Sequence, residues 1–269
     1  MMDFTLKAEY TIEDLLKIIE LLRDPQKGCP WDKVQTHESI RMNFIEETYE
    51  VADAIDRKDM DGLCEELGDV LLQVALHTQM ERETGTFDFD RVCDGICKKL
   101  IYRHPHIFGE VQADTEEQVL NNWDKLKKKE KNISTASENL RAVPAVFPAL
   151  LRSKKVQKRA DEYGFAYHSV QDALADLESE VAELKEAAAS GLKAREELGD
   201  VLFSAVNVGR LLKIDSEEAL AASCEKFIAR VEGCEAAAEG QNKKLEELSA
   251  EELDKAWKQV KEGSAGGTL

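Results

Sequence analysis

Glu47, Glu50, Glu66 and Asp69 form one set of acids in this chain, and Glu180, Glu183, Glu197 and Asp200 form another with nearly the same spacing. Around the later pair of each set seven residues recur unchanged, EELGDVL at 65–71 and again at 196–202. Residues three apart on a helix lie on one face, so each ExxE and each ExxD aims two carboxylates the same way. Two such helices packed side by side would gather four carboxylates. That much negative charge in one place calls for a cation, and an all-oxygen donor set suits Mg²⁺, or Mn²⁺, rather than zinc. A single Glu pair at this spacing is most often a solvated helix face. Two pairs in the same order, with Asp69 and Asp200 running directly into apolar VLL and VLF, indicate a duplicated metal site instead.

Further chemistry lies downstream of each set. Lys226 and Arg230 share a helix face, as do Lys99 and Arg103, and a point charge beside a planar fork is a phosphate clamp when it is not merely an exposed basic pair. Trp257, followed by Lys258 and Lys261, is either a core side chain or a face on which a nucleobase stacks. Metal, clamp and aromatic platform together point to a nucleotide phosphate, whose hydrolysis Mg²⁺ assists by acidifying water and neutralising the leaving group. There is no GxxxxGK[ST] loop and no GxGxxG, which excludes P-loop and dinucleotide-binding chemistry. None of the five histidines follows a glutamate by three, which disfavours a di-iron bundle. In RHPH (103–106) Pro105 marks a helix end more readily than His104 and His106 mark a metal pair. KLKKKEK (125–131) suits the exposed end of a helix better than a nucleic-acid contact.

The elements that must position these residues are helices. Five prolines, abundant Ala, Leu, Glu and Lys, and few alternating apolar runs predict an all-α chain of tandem helical bundles. Leu177, Val181 and Leu184 make an apolar stripe with Glu180 and Glu183 beside it. On the next helix Leu198, Val201, Leu202 and Ala205 are apolar, while Glu197, Asp200, Ser204 and Asn207 follow a polar line. Gly191 is a stop between these helices, and DRKDMDG ending at Gly62 plays that part earlier. The repeat extends further: KKLIYR (98–103) aligns with EKFIAR (225–230), and Trp123 aligns with Trp257. Two domains follow, 1–132 and 149–262, joined by a proline-bearing linker at 133–148 and ending in a flexible tail at 263–269.

With 54 acidic against 36 basic residues and a net charge of −18, the surface repels polyanions, so a nucleic-acid polymer is excluded as partner. The six cysteines (Cys29, Cys64, Cys93, Cys97, Cys224, Cys234) form no CxxC pair, and the first twenty residues hold no signal-peptide pattern. They read as reduced, buried thiols of a cytoplasmic protein. No apolar run approaches membrane-spanning length.

KGCPWDKVQTHESI (27–40), EETYEVADAI (46–55), CEELGDVLLQVALH (64–77) and YRHPHIFG (102–109) closely resemble the MazG nucleoside triphosphate pyrophosphohydrolases. So do KVQKRADEYGFAY (155–167), ESEVAEL (178–184), REELGDVLFSAVN (195–207) and KFIAR (226–230), and the resemblance covers nearly all of residues 8–262. It implies an all-α, usually dimeric enzyme that uses Mg²⁺ to split nucleoside triphosphates into monophosphate and pyrophosphate. By the same resemblance Glu180, Glu183, Glu197 and Asp200 are the catalytic metal ligands, with Glu47, Glu50, Glu66 and Asp69 as a possible second site. Glu178, Ser179, Lys193, Arg195, Glu196, Lys226, Arg230 and Trp257 would surround the nucleotide. The proton acceptor would be one of the four acids or a neighbour such as Glu196. Asp176 departs from the family, which has a basic residue there. The first half keeps all four acids with Lys99, Arg103 and Trp123. Where the second half continues from Asp200 through Ser204 to Asn207, however, the first runs from Asp69 through Gln73 to Leu76, so the second half is expected to carry most of the turnover. The alternatives are a narrow-specificity relative acting on phosphoribosyl-ATP or a modified deoxynucleotide, and a nucleotide-sensing module without turnover.

Overall fold

The computed structural model describes residues 4–113, 115–130 and 133–265. Among them the chain is all-α, with twelve helices, two 3-10 turns and no strand. It divides into two compact units, residues 1–127 and 128–269.

Unit 1 begins with α1 (Ile12–Leu22), followed by the hairpin of α2 (Arg41–Asp56) and α3 (Met60–Thr84), then α4 (Phe89–Arg103), the single turn α5 (Pro105–Phe108) and α6 (Glu116–Glu130). α1 and α2 both pack on α3. Ile19, Ile40, Ala75, Leu76 and Met80 form the core between them, flanked by Leu15, Leu16 and Leu72. The hairpin turns at 57–59, where Lys58 takes a left-handed φ of 57° and Asp59 caps α3 by accepting from the Gly62 amide. Gly62 is therefore no helix stop. It lies in the first turn of α3, where a Cβ would meet Asp59 Oδ2 at 2.7 Å. As expected, α4 ends at Arg103, and Pro105 opens the next turn.

Unit 2 contains α7 (Ala136–Arg141), α8 (Ala149–Asp161), the hairpin of α9 (Val170–Ser190) and α10 (Ala194–Leu211), α11 (Ser216–Glu239) and α12 (Ala250–Ala265). α7 lies within the stretch expected to be a linker, and a reciprocal Thr135–Glu138 capping box starts it. α12 includes the first residues of the expected tail, whose last four lie outside the described residues. Gly191 ends α9 in the left-handed conformation (φ 73°), as its position predicts. α8 packs on α10 and α11, and α12 on α11. The approach of α12 is close, since a Cβ on Gly233 would meet Val260 Cγ1 at 2.8 Å.

One expectation about faces is reversed. On α10 the apolar Leu198 and Leu202 are about half exposed, at 49% and 50%, while the polar Ser204 and Asn207 are buried. The polar line turns inward because polar groups of α8 and α9 meet it there. The cysteines also differ: all six are free, but of these only Cys234 is buried, and Cys64, Cys97 and Cys224 are exposed. No helix of the described residues is long and apolar enough to cross a membrane.

Candidate metal and nucleotide site

Each hairpin brings acids of its two helices together. In unit 1 Glu47 of α2 meets Glu66 and Asp69 of α3, and in unit 2 Glu180 and Glu183 of α9 meet Glu197 of α10. Within each trio the carboxylate oxygens lie within 4.8 Å of one another. The fourth acid stands outside the trio and differs between units, being Glu50 in the first and the exposed Asp200 in the second. Both still act on their neighbours through their charge.

Burial, then the charges of Glu183, Asp176, Asp200 and Glu197, hold the Glu180 carboxyl above its ordinary value. Burial raises Glu47 as well, helped by a hydrogen bond with Glu50 and the charges of Asp69, Glu50 and Glu66. Glu66 is raised by burial and then by Glu50, Asp69 and Glu65. Like charges thus face one another, with Arg57 opposing them at Glu66. Oxygen-only donors from two rigid helices, close enough to share one ion, fit a hard divalent cation in either unit.

Beside the unit 2 trio lies a polar tie that sequence reading missed. Asp176, one turn before Glu180 on α9, accepts a 2.7 Å hydrogen bond from Ser204 Oγ of α10. The Tyr167 hydroxyl faces the same carboxylate, and burial first, then Asp176 and Glu180, push it up to about 12. Asp176 is therefore a fifth acid at this site, cross-linking the hairpin where a basic residue was expected. Deeper in, Gln157 Nε2 of α8 donates to the Phe203 carbonyl at 2.7 Å. Arg210 Nη2 and Nε donate to Asn207 Oδ1 at 2.7 and 3.0 Å, and the same guanidinium forks onto Asp161. The sequence signal for this layer was the polar line from Asp200 to Asn207. Its partners on α8 carried none.

The other expected nucleotide residues are more dispersed. Glu178, Ser179, Arg195 and Glu196 are exposed at the hairpin. Lys193 caps α10 in the left-handed conformation (φ 61°) and reaches Glu196 at 3.8 Å. Lys226 is exposed on α11, while Arg230 is half-buried with its guanidinium 5.9 Å from the centre of the Trp257 ring. Trp257 also packs at a tilt on Phe227, 5.3 Å between centroids. Arg230 Nε is buried without a partner, and neither Lys226 nor Arg230 forms an ion pair among the described residues. Unit 1 repeats the pairing, with Arg103 over Trp123 at 5.2 Å. Both tryptophans thus serve first to hold helix to helix, each carrying an arginine on its ring.

The model of the MazG nucleotide pyrophosphohydrolase domain matches the chain twice, at residues 35–108 and 168–234. A nucleoside triphosphate pyrophosphohydrolase of Escherichia coli is 39% identical over 254 residues, covering 93% of this chain and 97% of its own. A Thermotoga maritima protein, nucleoside triphosphate pyrophosphohydrolase/pyrophosphatase MazG, is 40% identical over 257 residues, covering 96% and 98%. The chain is also 44% identical over 250 residues to the Bacillus subtilis protein YabN, of which it spans half.

Proposed function

Because the chain belongs to the MazG nucleotide pyrophosphohydrolase family, we propose that it hydrolyses nucleoside triphosphates to nucleoside monophosphate and pyrophosphate, mainly in its second unit and with Mg²⁺. One observation carries this reading: a carboxylate trio inside each matched segment, in a chain colinear with named pyrophosphohydrolases over nearly its whole length.

Glu180, Glu183, Glu197 and Asp200 would hold the cation, and the equivalent acids of unit 1 have the composition to do the same. A divalent ion bound there supplies neutralisation of the triphosphate and acidification of water. The protein's own part is positional and protolytic. Two helices fix the acids before substrate arrives, which removes reorganisation from the step. Water attacks at the α–β anhydride, and its proton passes to one of these carboxylates or to Glu196. Lys193 and Arg195 at the start of α10, Lys226 and Arg230 on α11, and Glu178 and Ser179 on α9 surround the polyphosphate and sugar in this reading, with Trp257 setting the arginine.

Residues 149–262 would then be the catalytic domain and 1–132 its structural counterpart. The half-exposed Leu198 and Leu202 and the exposed Phe227 support a homodimer that covers them. Six unpaired thiols support a reducing, cytoplasmic setting. The test is product analysis of an ATP digest with Mg²⁺. AMP and pyrophosphate are expected, and ADP with inorganic phosphate as the main products would overturn the reading.

A further inference from the structure

A cavity of about 490 Å³ opens in unit 2 between α8, α10 and the segment before α9, lined among others by Val156, Gln157, Tyr167, Phe203, Ser204 and Asn207. Ser204 ties its wall to the carboxylate trio, because its hydroxyl donates to Asp176, one turn from Glu180. The rest is apolar and aromatic save for two amides, on Gln157 and Asn207, which are 4% and 8% exposed.

Neighbours of fixed polarity settle which way each amide points. Arginine only donates, so the Asn207 atom that Arg210 grips is its oxygen, leaving the NH₂ group to turn away. A backbone carbonyl only accepts, so Gln157 gives its NH₂ to Phe203, and its Oε1 is left buried without a partner. An orphaned acceptor in a protein interior costs free energy unless something supplies a hydrogen. The cavity therefore pairs one held donor with one held acceptor between aromatic walls.

Unit 1 is the control for this arrangement. In the register that pairs Glu66 with Glu197, Leu72, Gln73 and Leu76 stand where Phe203, Ser204 and Asn207 do. There Leu76 belongs to the apolar core, with Leu72 packed against it. Gln73 is buried there with an unpartnered Oε1 of its own, so the two units differ at this place in the leucines that stand where unit 2 has Phe203 and Asn207.

We infer that this cavity receives the nucleobase of the nucleotide bound at the unit 2 carboxylates, Asn207 donating to the base edge and Gln157 accepting from it. Every common nucleobase carries a donor beside an acceptor on one edge, and the aromatic Tyr167 and Phe203 that line the cavity suit a flat ring. A base-less sugar phosphate or an inorganic polyphosphate has no flat ring that presents the two side by side. The faces of Trp257 are meanwhile engaged by Phe227 and Arg230. The inference rests on unit 2 being the nucleotide site, not on turnover.

The experiment has two arms, run on the full chain with Mg²⁺. In the first, kcat/KM for each common nucleoside triphosphate is compared with that for ribose 5-triphosphate. In the second, calorimetric titration compares the four nucleoside monophosphates with ribose 5-phosphate. Both are repeated for Asn207→Leu, Gln157→Met and Trp257→Ala, with folding checked by circular dichroism. The wild type should prefer the base-bearing ligand, and Asn207→Leu or Gln157→Met should cut that preference about tenfold, the weight of one or two neutral hydrogen bonds in a buried site. A preference retained in both folded variants, lost only in Trp257→Ala, or absent from wild-type binding would overturn the assignment. Binding preference lost in Asn207→Leu, in a chain that releases no pyrophosphate, would uphold the pocket and refute the pyrophosphohydrolase reading.

Discussion

Glu180 shares its corner of the fold with Glu183, Asp176, Asp200 and Glu197, and that crowding has a sign that can be measured without substrate. Its folded pKa is raised, so the native state holds a proton that the unfolded chain has released. The stability that this group contributes therefore falls as pH rises from the ordinary glutamate value of 4.5 through the raised folded value. With metal chelated, Glu180→Gln should melt at a higher temperature than the wild type near neutral pH and should lose less stability over that rise. The same substitution should lower turnover by at least about a hundredfold when Mg²⁺ is restored. Thermal melts across pH in chelator, followed by a pyrophosphate assay, check both halves of the statement. A gap between Glu180→Gln and the wild type that fails to widen with pH in that window would show that the crowding has been misjudged. At this scale the sequence was informative, for ExxE and ExxD spacing alone placed three acids of each set together. It marked Asp176 only as a departure from the family, because nothing in the order of residues says that Ser204 will meet it.

Helices α9 and α10 form a hairpin whose two ends are set by local rules. Gly191 terminates α9 at φ 73°, and no atom lies within 4 Å of a Cβ built there. The cost of Gly191→Ala is then conformational alone, and chemical denaturation should find a loss of about 1 kcal/mol with the site chemistry intact. No loss would mean that the turn relaxes into another conformation. Such stops are legible because they depend on one residue. The partner turn shows the limit: DRKDMDG announces a break, but the Asp59 cap places it at 57–59 and takes Gly62 into the helix. Which face of a helix turns inward is harder still. Leu198 and Leu202 look like a core stripe beside Ser204 and Asn207, yet the polar pair is the buried one. That outcome depends on Asp176 of α9 meeting Ser204 and on Asp161 of α8 holding the arginine that grips Asn207, contacts that no window along α10 contains.

The chain as a whole is one hairpin unit written twice, with both sets of acids kept and the residues behind them changed. Glu197→Gln with Asp200→Asn should remove at least about a hundredfold in turnover. Glu66→Gln with Asp69→Asn should cost less than about tenfold, each protein being checked for folding and oligomeric state. The reverse ranking would assign the catalytic unit the wrong way round, and equal partial losses would mean that both units work. The duplication was plain in the sequence, since EELGDVL recurs without change. The different interiors of the copies were not, because Leu76 and Asn207 acquire meaning only from what surrounds each of them. Those interiors have a thermal consequence. A ligand held by one copy alone stabilises that copy alone. On slow heating with saturating nucleoside monophosphate, the calorimetric transition of residues 128–269 should move upward while that of residues 1–127 stays in place, so that the two copies separate on the temperature axis according to what each was left to hold.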